Sequence, residues 1–297
     1  MKGKFKGGKS ITFLLLITFG MIGCGKNQVL KKENVNETNQ EQATENKETT
    51  EEQQENTNNN TEEQSQSQID YINIAPEEVK IPILMYHSIS DEDPSNNLLV
   101  PPAMFEEQMA WLEANNFTAM NMDEALEAMR TGKVPKRPVV ITFDDGYANN
   151  YTSAFPSLKN HKLKATFFVI TDGVDNGYYM SSDNLKEMQE AGMSIENHTA
   201  NHLELNNLSK TDAYESIKRA QDYLRNVIGS DGNYLCYPVG KYNDETIQIE
   251  EELGIKAAVT TQGGFASIND GLHTLKRVRI SPMSIEGFAS IFSKYIN

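Results

Sequence analysis

From about residue 79 onward, apolar and polar positions alternate between two periods. Short runs rich in β-branched and aromatic residues predict strands at 80–89 (KIPILMYHSI), 117–120, 139–143, 165–170 (ATFFVI), 194–197, 234–237, 256–260 and 275–280. Between them lie segments of helical period. One spans 102–115, with Phe105, Met109 and Leu112 on a stripe and Trp111 alongside. The next opens on the capping pair Asn121 and Glu124, and Gly132 follows its end. Further helices are expected at 149–158, at 184–190 before Gly192, at 209–227 behind Ser209, at 244–253 before Gly254, and at 285–295. Strands alternating with helices over one stretch of this length predict an α/β fold with a parallel sheet, most simply a (β/α) barrel. An open doubly wound sheet is the alternative, and in both folds the loops at the carboxyl ends of the strands carry the chemistry.

The first 78 residues break this pattern. Lys2, Lys4, Lys6 and Lys9 precede an apolar stretch, 11–22, of the length of a signal-peptide core and too short to span a bilayer comfortably. The stretch ends in Met-Ile-Gly-Cys (21–24), which resembles a bacterial lipobox with Met in place of the usual Leu. Residues 1–23 are therefore expected to be a lipoprotein signal, with Cys24 carrying the lipid anchor. This places the protein on the outer face of the cytoplasmic membrane, or in the cell wall or medium. Residues 24–78, dominated by Glu, Asn, Gln and Thr, have too few apolar side chains to offset ordering entropy, and an acidic tether is expected there. The folded domain is expected at 79–297. The formal charge of −15 becomes −19 once the four signal lysines are removed, which argues against nucleic acid as a partner. Cys236 is the only other cysteine, so the domain relies on its core rather than on disulfides. A monomer is expected.

Candidate chemistry concentrates at two strand ends. The run Val139 to Phe143 leads into Asp144-Asp145-Gly146, and adjacent carboxylates repel one another unless a cation or a proton intervenes. The strand at 194–197 leads into His198-Thr199-Ala200-Asn201-His202, where the four-residue spacing sets two histidines on one face of a helical turn. A His-His-Asp set leaves a coordination position open for water, the layout of a hydrolytic rather than a structural zinc centre.

Thr142 to Gly146 (TFDDG) together with Asn197 to His202 (NHTANH) resemble the first two motifs of the polysaccharide deacetylases, the NodB-like carbohydrate esterases. The resemblance extends over about 82–280. It implies a distorted (β/α) barrel and metal-dependent hydrolysis of N-acetyl groups on a glycan containing N-acetylglucosamine. Asp145, His198 and His202 would hold the metal, by default zinc, with cobalt or nickel as alternatives, and Asp144 would be the general base. Ile83 to Ser88 (ILMYHS) resembles a circularly permuted subgroup that includes poly-N-acetylglucosamine deacetylases, which makes His87 the general acid. His273 is the competing candidate, and His161 is read as a surface residue.

The third motif, commonly Arg-Pro-Pro-Tyr-Gly, is present only as Cys236-Tyr237-Pro238-Val239-Gly240. The backbone N–H of Val239 can still serve an oxyanion. Cys236 stands where the third motif carries its Arg, and the family's fourth motif, an Asp and a Trp, is not visible, so the Arg–Asp pair that orients the base is missing or replaced, with Arg277 and Arg279 as candidate cations. Two other readings use the same fold: a catalytically weak glycan-binding protein and an O-acetyl esterase of the xylan type. Specificity is expected in loops 91–97 and 172–182, where Tyr178 and Tyr179 are candidates to stack on sugars.

Overall fold

The structure, a computed structural model, describes residues 69–296. The expected signal, Cys24 and the tether up to residue 68 lie outside the described residues. Ten strands and eight α-helices alternate. The strands are β1 (Tyr71–Asn73), β2 (Ile83–Tyr86), β3 (Thr118–Met120), β4 (Lys133–Pro135), β5 (Pro138–Phe143), β6 (Thr166–Val169), β7 (Ser194–Asn197), β8 (Tyr234–Cys236), β9 (Ala257–Gly263) and β10 (Leu275–Arg279). The helices are α1 (Pro102–Ala114), α2 (Met122–Thr131), α3 (Phe155–Asn160), α4 (Ser182–Glu190), α5 (Lys210–Ile228), α6 (Asp244–Glu252), α7 (Ile285–Ile291) and α8 (Ser293–Ile296).

The sheet order β2-β10-β9-β8-β7-β6-β5 is closed by pairing of β2 with β5, and every pair in this ring is parallel. Seven strands thus form a barrel, and β3 extends it as an eighth strand on β5. The barrel, rather than the open sheet, is the architecture. The strand bearing His87 at its end stands between the last strand and the strand of the acidic pair.

Side-chain alternation divides each strand between two cores. Inward residues such as Ile83, Val140, Phe168, Tyr234, Val259 and Leu275 fill the barrel, and Met122, Leu126 and Met129 of α2 pack against them. Tyr234, the first residue of β8, donates its hydroxyl to Asp123 of α2 at 2.6 Å, so α2 closes the end at which the strands begin. Outward residues Leu84, Ile141, Phe143, Phe167 and Ile195 pack under α1, α3, α4 and α7. Leu235 and Ala258 pack under α5 and α6. The carboxyl ends of the strands stay open for loops.

Several local expectations hold to the residue. Asn121 and Glu124 form a capping box on α2, Gly132 ends that helix in the left-handed region, and Ser209 caps α5. Two expectations need correction. Residues 71–78, expected to belong to the tether, carry secondary structure: β1 pairs antiparallel with β4, and a 3-10 turn follows at Pro76–Glu78. A three-residue strand is too short to leave a periodic signature, and its own residues are exposed. The terminal helix expected at 285–295 is interrupted at Phe292, which separates α7 from α8.

Candidate active site

Asp144 and Asp145 follow β5 directly, and their roles separate through backbone geometry. Asp145 has a left-handed φ of 72°, and Gly146 continues the turn at φ 83°. A non-glycine residue there carries strain that persists where the surroundings over-determine it. The turn sends Asp145 toward the β7 loop and leaves Asp144 pointing into the barrel mouth.

His198 and His202 reach Asp145 from the loop after β7. The Asp145 Oδ1 atom lies 3.2 Å from His198 Nε2 and 3.4 Å from His202 Nε2, and the two imidazole centroids are 4.8 Å apart. One ligand atom from each residue lies within 4.8 Å of the others. The expected helical turn is absent. Thr199 and His202 both take positive φ (63° and 55°), so the histidines converge through an irregular loop rather than by α-helical spacing. That loop is braced: Asn197 Oδ1 accepts from Thr199 N at 2.7 Å, and Thr199 Oγ1 accepts from His202 N at 3.0 Å.

His198 is buried, and its Nδ1 donates to the Cys236 carbonyl at 2.7 Å. This bond assigns the proton to Nδ1 and leaves the Nε2 lone pair aimed at Asp145, the arrangement of a metal-ligating histidine. Burial disfavours the charged form of Asp145, but the adjoining His198 outweighs it and holds the carboxyl below its ordinary range. Two imidazole nitrogens and one ionised carboxylate oxygen are a donor set that fits a divalent cation. A second grouping, Asp144, His198 and Cys236, competes on distance alone. It is the weaker site, because burial keeps the Cys236 thiol protonated and Asp144 is already engaged.

Asp144 is engaged by Arg277. Nη1 donates to Oδ1 and Nη2 to Oδ2, both at 2.7 Å, a bidentate fork with the guanidinium fully buried. Arg277 also donates to the Thr260 carbonyl (2.9 Å), to Thr142 Oγ1 (3.1 Å) and to Cys236 Sγ (3.3 Å). Burial works against the charged carboxylate, and the guanidinium overcomes it, holding Asp144 far below the usual carboxylate range. The open question of the orienting cation is answered by Arg277. It lies on β10, inside the closed ring between β2 and β9, not on an edge strand. Arg279 is exposed.

His87 follows β2, and its Nε2 lies 3.8 Å from Asp144 Oδ2. Burial lowers its pKa, an effect the two aspartates only partly offset. Its loop is tied to the segment after β5: Asn150 donates to the His87 carbonyl at 2.7 Å and Asn149 to Ser88 Oγ at 2.8 Å. His273 is placed differently, with Nδ1 2.6 Å from Glu250 Oε2, away from the Asp144 cluster. His161 is not a free surface residue, since Glu113 and Glu106 clamp its two nitrogens at 2.6 and 2.8 Å.

Val239 sits in the turn after β8 with a left-handed φ of 48°, and its neighbour Gly240 has φ 73°. A Cβ on Gly240 would meet Thr261 Oγ1 at 2.1 Å, so glycine is required there. Sequence reasoning passed over Tyr147. It is two residues past Asp145, and burial followed by the Asp145 charge pushes its hydroxyl pKa up. Its only signal was its place directly after the acidic pair and Gly146.

Comparison with known proteins gives one answer. Residues 131–258 match the sequence model of the polysaccharide deacetylase family. YxkH of Bacillus subtilis, named as a polysaccharide deacetylase, is 40% identical over 218 residues, covering 73% of this chain and 76% of its own. The poly-β-1,6-N-acetyl-D-glucosamine N-deacetylase of Staphylococcus epidermidis is 28% identical, covering 68% of this chain and 80% of its own. Among solved structures, the Streptococcus pyogenes deacetylase PplD in complex with acetate superposes with a TM-score of 0.69 at 36% identity, over 72% of this chain and 98% of that one. Identity of this extent, on a closed parallel barrel whose mouth carries the paired aspartates and both histidines, makes this chain a member of the polysaccharide deacetylase family.

Proposed function

We propose that this protein is an exported, metal-dependent hydrolase that removes N-acetyl groups from a polysaccharide containing N-acetylglucosamine and releases acetate. The observation that carries this reading is the division of the acidic pair: Asp145 converges with His198 and His202, while Arg277 engages both carboxylate oxygens of Asp144. Asp145, His198 and His202 would hold the cation, zinc by donor chemistry, with cobalt or nickel also suited. When bound, it supplies an acidified water and a polarised acetyl carbonyl.

Asp144, kept ionised by Arg277, accepts the proton of the attacking water. The backbone N–H of Val239 donates to the oxygen that gains negative charge. His87 stands 3.8 Å from Asp144 Oδ2, so the proton gained there has a short path to the leaving nitrogen. The alternative of a catalytically weak binding protein rests on the missing orienting Arg and Asp, and Arg277, which supplies the cation beside Asp144, favours catalysis over it. The relatives named for poly-β-1,6-N-acetyl-D-glucosamine support an N-acetylglucosamine polymer as substrate. The signal-like segment with Cys24 supports a lipoprotein on the outer face of the membrane.

The test is acetate release from β-1,4- and β-1,6-linked N-acetylglucosamine oligomers and from O-acetylated xylan. Release from the first two, reduced about 10²–10⁴-fold in Asp144→Asn with metal content unchanged, is the expected result. Full turnover in that variant removes Asp144 as the base. Release from xylan alone makes the protein an O-acetyl esterase, and binding of every glycan without release makes it a binding protein.

A further inference from the structure

Among the described residues, exposed large apolar side chains fall in two places. Ile69, Tyr71, Ile72 and Ile296 lie near the two ends of the described chain, and Tyr178, Leu203 and Val239 lie in loops at the carboxyl ends of β6, β7 and β8. The second group therefore rims the candidate active site. Leu203 follows the ligand candidate His202, and Val239 is the candidate oxyanion donor. Tyr178, 65% exposed, has no role in the chemistry proposed above.

Tyr178 is not a loose side chain. Tyr147, two residues past Asp145, stacks on Tyr179 at 5.6 Å and 18°. Tyr178 stands edge-on to both, at 5.4 Å and 87° from Tyr147 and at 5.0 Å and 86° from Tyr179. The backbone joins this group to the acidic turn: Met180 N donates to the Gly146 carbonyl at 2.9 Å, and Ala148 N to the Tyr178 carbonyl at 3.0 Å. Asn176 Oδ1 accepts from the N–H groups of both Tyr178 and Tyr179, at 2.9 and 3.1 Å. Gly173 gives the Tyr179 ring its seat, since a Cβ there would lie 2.5 Å from that ring. The loop thus presents one ring to solvent at fixed orientation beside Asp145.

A rigid aromatic face at low conformational cost is a surface for a flat apolar ligand with polar edges. A β-linked hexosamine has that form, with axial C–H bonds on its faces and hydroxyl and acetamide groups around its rim. We infer that Tyr178 is a pyranose-stacking subsite that binds the sugar next to the one being deacetylated. This rests on the glycan reading given above. It makes the protein selective for chains over single sugars.

The test measures the affinity of the full chain for tetramers of N-acetylglucosamine, β-1,4- and β-1,6-linked. Calorimetric Kd in the Asp144→Asn background and initial-rate KM without that substitution are the two readouts. Tyr178→Ala is expected to weaken tetramer binding about tenfold, with Tyr178→Trp and Tyr178→Phe close to the parent and metal content equal in all. Unchanged affinity in Tyr178→Ala, equal loss in the aromatic variants, a fall in metal content, or no tetramer binding by the parent overturns the subsite. Binding through Tyr178 with no acetate release in any form keeps the subsite and contradicts the deacetylase reading instead.

Discussion

At the residue scale, the arrangement with the largest energetic consequence is the fully buried pair of Arg277 and Asp144. A buried charge is tolerated where its hydrogen-bonding capacity is met, and Arg277 meets it with Asp144, Thr142, Thr260 and Cys236. Removing one partner strands the other. Arg277→Leu is expected to cost about 3–5 kcal/mol in urea unfolding, and Asp144→Leu combined with it less than the sum of the two single changes. A combined cost equal to that sum would mean that the pair is not coupled. Arg277→Lys keeps the charge but not the fork, so acetate release is expected to fall while metal content holds. The acidic pair and both histidines were legible in the sequence because each stands at the end of an apolar strand. Arg277 was legible only as one of two candidates. The position where the family carries its arginine holds Cys236, too short and uncharged for the task, and Arg277 reaches the same place from a strand 41 residues further on, 3.3 Å from that sulfur. Sequence separation hides such replacements, and burial reveals them.

At the scale of elements, three turns position the chemistry: the one after β5, the irregular loop after β7 and the one after β8. Each contains a non-glycine residue at positive φ: Asp145, Thr199 with His202, and Val239. Dihedral angles leave little trace in residue patterns, which is why the His198–His202 spacing suggested a helix. The short strands β1 and β4 escaped notice for a related reason, since three residues carry no period. The turn after β8 is also the easiest to disturb. Gly240→Ala places a Cβ against Thr261 at a left-handed φ, and it is expected to lower stability by about 1–2 kcal/mol and acetate release by at least tenfold. Thr261→Ala in the same chain is expected to recover part of the loss by removing the hydroxyl from that contact. Unchanged turnover in Gly240→Ala would remove the turn from the oxyanion role.

At the scale of the whole molecule, the closed barrel encloses a carboxylate that the chemistry does not use. Glu196 lies on β7 between Ile195 and Asn197, accepting from Ser194 Oγ at 2.8 Å and from Tyr234 N at 3.1 Å. Burial pushes its pKa up from 4.5 to about 7. A folded-state value above the unfolded one means that the folded protein holds the proton more tightly. The resulting stabilisation is complete below pH 4.5 and is lost as pH rises through about 7. Unfolding free energy is therefore expected to fall by up to about 3 kcal/mol across that window, and Glu196→Gln to flatten the dependence. Denaturation profiles of both forms at pH 5 and pH 8 check this, and parallel profiles would contradict it.

The barrel also brings residues from five strand ends to one mouth, and the proposed chemistry of that mouth depends on the metal. The most direct test strips the purified protein with a chelator and titrates zinc back while acetate release from an N-acetylglucosamine oligomer is followed. Release is expected to vanish on stripping and to return in proportion to zinc, saturating at one ion per chain, with His198→Ala failing to recover. Release that survives complete stripping, or that returns equally in His198→Ala, would contradict the site described for Asp145, His198 and His202.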